Sequence, residues 1–272
     1  MRHYLQHYGK ERTGTNYLKS LLAANFTDLV LFDNRLGSKH EAFREVRTWM
    51  EERGVRSASD FADLLRTDPY WKARNVPSDA PFERVHQPVT YEELRALCAG
   101  RLPLGYLVSI KDPYAYAVSI NRWKKDGLKR FQEPPHVVGA DAELIRRHCL
   151  AFNAVYASYW PLIESGRGML VRYEDLLGDA ACTLGRIQRK FGLTARGNGF
   201  TDVEQTVAPT LGVSNSPFYR SFYRNREYLA ALDAACLATV DQTINWELMR
   251  RYGYSSVSAG MLAAGAPVGE FD

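Results

Sequence analysis

Between Gly9 and Asn16 the chain reads Gly-Lys-Glu-Arg-Thr-Gly-Thr-Asn, a segment suited to holding an anion. Glycines let backbone N–H groups approach a ligand closely, and a helix starting just afterwards adds the positive end of its dipole. The hydroxyls of Thr13 and Thr15 can donate to anionic oxygens, and Lys10 and Arg12 add positive charge beside them. The matching ligand is a phosphate or sulfate group. Farther along, Lys111 stands at the end of an apolar run, Pro113 opens a helical pattern, and Ser119 follows Lys111 by eight positions. Read alone, Lys111 is a strand-end lysine. His40, within Leu-Gly-Ser-Lys-His-Glu at 36–41, has a side chain whose ordinary pKa of about 6.5 suits proton transfer. Arg220 and Arg224, four apart, can share one helical face.

The spacing Gly9-x-x-x-x-Gly14 resembles a Walker A loop, but that motif continues with Lys and then Ser or Thr. Here Thr15 and Asn16 follow, which disfavours an ordinary ATPase or GTPase. The 272 residues are 46% hydrophobic and 24% charged, a globular composition able to bury a substantial core. A net charge of +4 suits an anionic ligand yet falls short of a nucleic-acid signature. Lys124, Lys125, Lys129 and Arg130 form the one short basic cluster, which reads as a solvated face. The four cysteines stand far apart with no metal-ligand spacing, so neither a metal site nor a disulfide framework is expected. The opening segment lacks the apolar core of a signal peptide, and no run approaches a membrane span, so a cytoplasmic location is expected.

These groups need elements to position them. Residues 3–8 alternate and are aromatic-rich, which predicts a strand, and apolar residues at helical spacing over 15–26 predict a helix. A second strand over 28–32 completes a βαβ opening and calls for a parallel sheet. Residues 41–100 form a polar helical insertion, broken by Pro77, Pro81 and Pro88, in which Thr90 and Glu93 make a capping box. Such an insertion can cap a site. Strands are expected at 106–110 and 168–173, with helices at 113–124, 141–163, 180–191 and 224–251. A long loop at 192–218 and a frayed tail at 258–272 complete a single-domain α/β reading. Trp49, Trp71 and Trp123 are candidates for sugar stacking, with core packing the competing role.

Three segments carry a resemblance to a known family. Arg12-Thr13-Gly14-Thr15-Asn16-Tyr17 resembles the 5′-phosphosulfate loop of sulfotransferases, with Tyr17 where cytosolic members have Trp. Lys111-Asp112-Pro113, with Ser119, is similar to the family's 3′-phosphate motif, although Lys replaces Arg and loses the bidentate fork. Arg172-Tyr173-Glu174-Asp175-Leu176 looks like a segment common in the superfamily, here taken as mainly structural. The resemblance implies a three-layer α/β/α sandwich of P-loop type around a parallel sheet. It implies 3′-phosphoadenosine-5′-phosphosulfate (PAPS) as co-substrate, with no metal, and transfer to a hydroxyl or amine of a glycan or small-molecule metabolite. It places the catalytic base at His40, with Glu41 as the other candidate, and Arg12 and Lys10 on the leaving oxygens. Lys10, Arg12, Thr13, Gly14, Thr15, Asn16, Tyr17, Lys111 and Ser119 would hold the donor. The family's Arg-Lys-Gly donor loop is missing; Arg220 and Arg224 are the expected replacements, with Tyr219, Phe222 and Tyr223 as candidates to flank adenine. A P-loop phosphotransferase and a non-catalytic binding protein are the alternatives.

Overall fold

The computed structural model describes residues 2–126, 141–203 and 217–257. Its centre is a four-stranded parallel sheet built from β1 (His3–Tyr8), β3 (Leu29–Leu31), β4 (Leu104–Ile110) and β5 (Gly168–Arg172), in the order β3-β1-β4-β5. The expected βαβ opening is present, with α1 (Thr15–Asn25) between β1 and the short β2 (Phe26–Thr27), just ahead of β3. Because β3 lies on one side of β1 and β4 on the other, the chain reverses its progress at β1. Loops leaving neighbouring strands β1 and β4 therefore open a crevice at the carboxyl edge, where open parallel sheets take ligands.

The sheet is covered on both faces. Alternate residues of β3 diverge, as a pleated strand requires: Val30 and Phe32 join one apolar cluster, and Leu29 and Leu31 join another. The first cluster is supplied by the 41–100 insertion, which folds as α2 (Val46–Glu52), α3 (Ala58–Thr67), α4 (Pro69–Arg74) and α5 (Tyr91–Cys98). Trp49 and Trp71 pack with ring centroids 5.4 Å apart, and both are buried, so they are core rather than a sugar platform. The Thr90–Glu93 capping box is present, and a second one, Ser57–Asp60, starts α3. The larger cluster is closed by α6 (Pro113–Asp126), α7 (Ala142–Glu164), α8 (Tyr173–Gly178), α9 (Ala180–Phe191) and the C-terminal helices.

Two expectations gain detail. The stretch expected to be helical over 224–251 is so, divided among the end of α10 (Pro217–Arg224), a 3-10 turn (Glu227–Ala231), α11 (Ala234–Thr243) and α12 (Trp246–Arg251). The breaks are capped locally, by Asp233 on the Cys236 amide and by Asn245 on the Leu248 amide. The described part of the 192–218 loop is also more ordered than loop chemistry suggests. Its β6 (Thr194–Ala195) pairs antiparallel with β2, and Asn25 at the end of α1 exchanges two side-chain hydrogen bonds with the Thr201 backbone, each 2.7 Å. The rest of that loop at 204–216, the 258–272 tail, Lys129 and Arg130 lie outside the described residues. All four cysteines are free, and no helix among the described residues is long and apolar enough to cross a membrane.

Candidate functional site

The loop after β1 is shaped by close contacts that only glycine tolerates. A Cβ on Gly9 would fall 2.8 Å from the Ser109 carbonyl oxygen of β4, and one on Gly14 would fall 2.3 Å from the Tyr173 ring. Gly14 has φ +82, in the left-handed region, and it ends the loop exactly one residue before α1 begins. Since Gly14 carries no side chain to cap the helix and no acidic residue sits in the first turn, the first N–H groups of α1 face the crevice uncapped. Arg12 also adopts a left-handed conformation, φ 70, which carries a cost of about 1 kcal/mol or more for a residue with a Cβ.

Around this loop the structure stacks polar ties. The Tyr156 hydroxyl of α7 donates to the Ser109 carbonyl (2.7 Å) and accepts from the Lys10 amide (3.4 Å), joining loop, strand and helix. His7 and Ser109, both buried, join β1 to β4 through a 2.7 Å contact. Thr13 is fully buried, and its hydroxyl donates to the Lys10 carbonyl (2.7 Å), so it braces the loop. The Lys10 ammonium lies 3.2 Å from Glu11, and the Arg12 guanidinium stacks over Trp123 at 5.0 Å.

Lys111 follows β4 into the same crevice. It is 3% exposed, and its ammonium is sandwiched between the rings of Tyr173 (4.1 Å) and Tyr223 (4.2 Å). Burial, followed by the nearby Arg12 charge, lowers its pKa to about 7. Ser119, buried on α6, hydrogen-bonds the Tyr223 side chain. Arg12, Lys111, Ser119, Tyr173 and Tyr223 thus come together at the ends of β1, β4 and β5. Asp112 caps α6 through the Tyr114 amide (2.8 Å), and Glu174 accepts from the Asp112 amide (2.9 Å).

The segment after β3 enters from the other side. The Lys39 carbonyl accepts from the Gly9 amide (2.9 Å), which pins 36–41 against the phosphate-type loop. His40 Nδ1 then lies 2.5 Å from the Gly9 carbonyl oxygen; as donor there, the imidazole keeps Nε2 as its acceptor nitrogen. Burial lowers the His40 pKa, so the ring is neutral near pH 7. The adjacent Lys39 turns the opposite way. Its buried ammonium reaches Asp33 (2.8 Å) and the Asn16 carboxamide oxygen (3.2 Å). Asp33, also buried, takes Lys19 of α1 on its other oxygen (3.3 Å), and its carboxyl is held well below the usual range by His86, Lys39 and Lys19 despite desolvation. The Glu41 side chain is exposed.

The expected residues are distributed unevenly about the crevice. Tyr17 is buried, and its hydroxyl donates to Asp202 (3.1 Å), which also pairs with Arg220 (2.5 Å). Arg220 is therefore held over α1 by Asp202, while Arg224 is exposed. Phe222 is buried against Tyr223, and the Tyr219 side chain lies outside what is described. Sequence reasoning passed over Tyr156, Asp33 and Lys19, and it read Tyr173 as structural although its ring contacts Lys111 and closes on Gly14. The signal for Tyr173 was its position, directly after a parallel strand at the ligand-binding edge.

No protein-family model matches the chain, and no curated protein is similar to it in sequence. Among solved structures it is similar to the sulfotransferase domain of the Synechococcus PCC 7002 olefin synthase, with TM-score 0.40 and 14% identity over 93% of this chain and 94% of that one. A sulfotransferase domain from the curacin biosynthetic pathway gives TM-score 0.39 and 13% identity over 89% of this chain and 97% of the other. Likenesses this loose say nothing about activity.

Proposed function

We propose that the chain is a sulfotransferase that takes a sulfuryl group from PAPS and passes it to a hydroxyl or amine of a glycan or small-molecule metabolite. The observation that carries this reading is the meeting of three features at one sheet edge. They are a glycine-shaped loop feeding an uncapped helix, a half-buried Arg12 beside the buried amine of Lys111, and a neutral histidine held on the Gly9 carbonyl. The buried Lys111 ammonium and the close approach at Gly9 both fit a ligand with separated phosphate groups.

In this reading the amides opening α1, with Arg12 and Lys10, hold the 5′ end of the donor. Lys111 and Ser119 hold its 3′-phosphate, and the bound donor supplies an activated sulfuryl group. His40 Nε2 accepts the acceptor's proton, because its other nitrogen is occupied by Gly9 and its lowered pKa keeps it unprotonated. Glu41 is the weaker candidate, being exposed and outside this arrangement. Arg12 and Lys10 stabilise charge on the leaving oxygens; as in phosphoryl transfer, positioning and electrostatics dominate.

Calorimetric titration with 3′-phosphoadenosine-5′-phosphate without magnesium, beside ATP with magnesium, tests this. Binding of the bisphosphate, weakened on the order of tenfold or more by Arg12→Ala through loss of a charged phosphate contact, is the expected result. Binding of ATP alone would overturn it in favour of phosphotransfer.

A further inference from the structure

Lys111 is a buried amine whose neighbours supply ring faces rather than a counter-charge. The groups facing it come from every element packed around it: Arg12 from the loop after β1, Asp112 from its own strand end, Tyr173 and Glu174 from α8, and Tyr223 from α10. Ser119 and Arg122 of α6 act on it through Tyr223. Both carboxylates are engaged elsewhere. Asp112 caps α6 and reaches Arg226 at 3.6 Å, while Glu174 accepts from the Asp112 amide and from the Tyr254 hydroxyl at 2.6 Å. Desolvation raises the pKa of each carboxylate, which weakens it further as a counter-ion. Burial raises both tyrosines as well, so neither phenol supplies negative charge.

A desolvated ammonium is costly without a paired anion, and two aromatic faces offset only part of that cost. The Arg12 charge adds repulsion. The lowest-energy response of the empty site is to lose the Lys111 proton, and the response to an incoming dianion is to regain it. We propose that Lys111 is a proton-coupled phosphate receptor, neutral in the empty crevice and protonated from solvent when a phosphate dianion enters beside Arg12 and Ser119. This deepens the donor-site reading above and rests on it. The balance is simple: the amine lone pair takes one solvent proton, no other bond changes, and the new ammonium pairs with the phosphate oxygens. Arginine in the same place, charged at every accessible pH, would bind phosphate without that proton.

The experiment is calorimetry with 3′-phosphoadenosine-5′-phosphate at pH 8 in buffers of different ionisation enthalpy, repeated from pH 7 to 9, on the whole chain and on Lys111→Arg. The expected result is uptake of a large part of one proton by the wild type and an affinity loss of about 30-fold across that range. Lys111→Arg should bind with little uptake and a flat profile. Wild-type binding with no proton uptake overturns this inference and leaves the donor site standing, and it does so whether or not the arginine variant folds. No bisphosphate binding at all overturns the donor-site reading and this inference with it.

Discussion

His40 Nδ1 sits 2.5 Å from the carbonyl oxygen of Gly9, so the first residue of the loop after β1 fixes which imidazole nitrogen is left as an acceptor. If that nitrogen is the base, His40→Ala should lower kcat about 100-fold or more while bisphosphate affinity changes little. The pH profile adds a second readout. Burial lowers the His40 pKa below its ordinary value, so the acid limb of the wild-type kcat profile should lie below that of an ordinary imidazole. An unchanged kcat in His40→Ala would move the base elsewhere, with Glu41 next to be replaced.

His7 sets an acid limit on the fold. It is fully buried at the β1–β4 junction, and desolvation lowers its pKa to about 3. The unfolded chain therefore binds this proton first as pH falls below 6.5. The stability that His7 contributes is complete above that value and is lost progressively towards pH 3, at about 1.4 kcal/mol per pH unit. Urea midpoints measured between pH 7 and 4 should fall steadily, and less steeply in His7→Gln. Equal slopes for the two proteins would show that His7 is not the group responsible.

Gly14→Ala should be among the most damaging single-methyl additions in the chain. The new Cβ would sit 2.3 Å from the Tyr173 ring, on a backbone with φ +82. Strain and overpacking together should cost about 3 kcal/mol, read as a fall in the urea midpoint. Because the displaced ring belongs to the Lys111 cage, bisphosphate binding should weaken as well. Gly54→Ala, with similar φ but open space around its Cβ, is the control and should cost about 1 kcal/mol.

Asp33→Asn tests the ionic centre behind the site. It leaves Lys19 and Lys39 buried without their shared carboxylate, and removal of one partner from a buried pair costs about 3–5 kcal/mol. Chemical denaturation should register that loss, and Lys39→Met in the same background should restore part of it. A double variant no more stable than Asp33→Asn would mean that Lys39 was not left uncompensated.

The parallel sheet and its loops were legible because their signals are local. Glycines at a strand end, alternation over 3–8 and the proline opening α6 all act within a few residues of themselves. The roles of Tyr173 and Asp33 were not legible, since each depends on what a distant segment brings. Tyr173 matters through Lys111 from another strand, and Asp33 through Lys19 from the helix before it and Lys39 from the loop after it. Arg220 illustrates the converse. Its spacing from Arg224 suggested a shared phosphate, yet Asp202, from a segment with no motif, holds it instead. The helical character of 224–251 was legible but its division was not, because caps at Asp233 and Asn245 act as breaks only when the chain turns there.

Lys39 and His40 are neighbours in sequence whose side chains diverge, one to Asp33 and the other to Gly9. Adding one residue between Phe32 and Lys39 would set the Lys39 ammonium against the Gly9 carbonyl, and deleting one would set the His40 imidazole against the buried carboxylate. The length of that connection is therefore as much a part of the site as the residues in it. Related chains should keep that number together with the buried Arg35 and Leu36 and the side-chain oxygens of Asn34 and Ser38, which accept from the Lys39 and His40 amides.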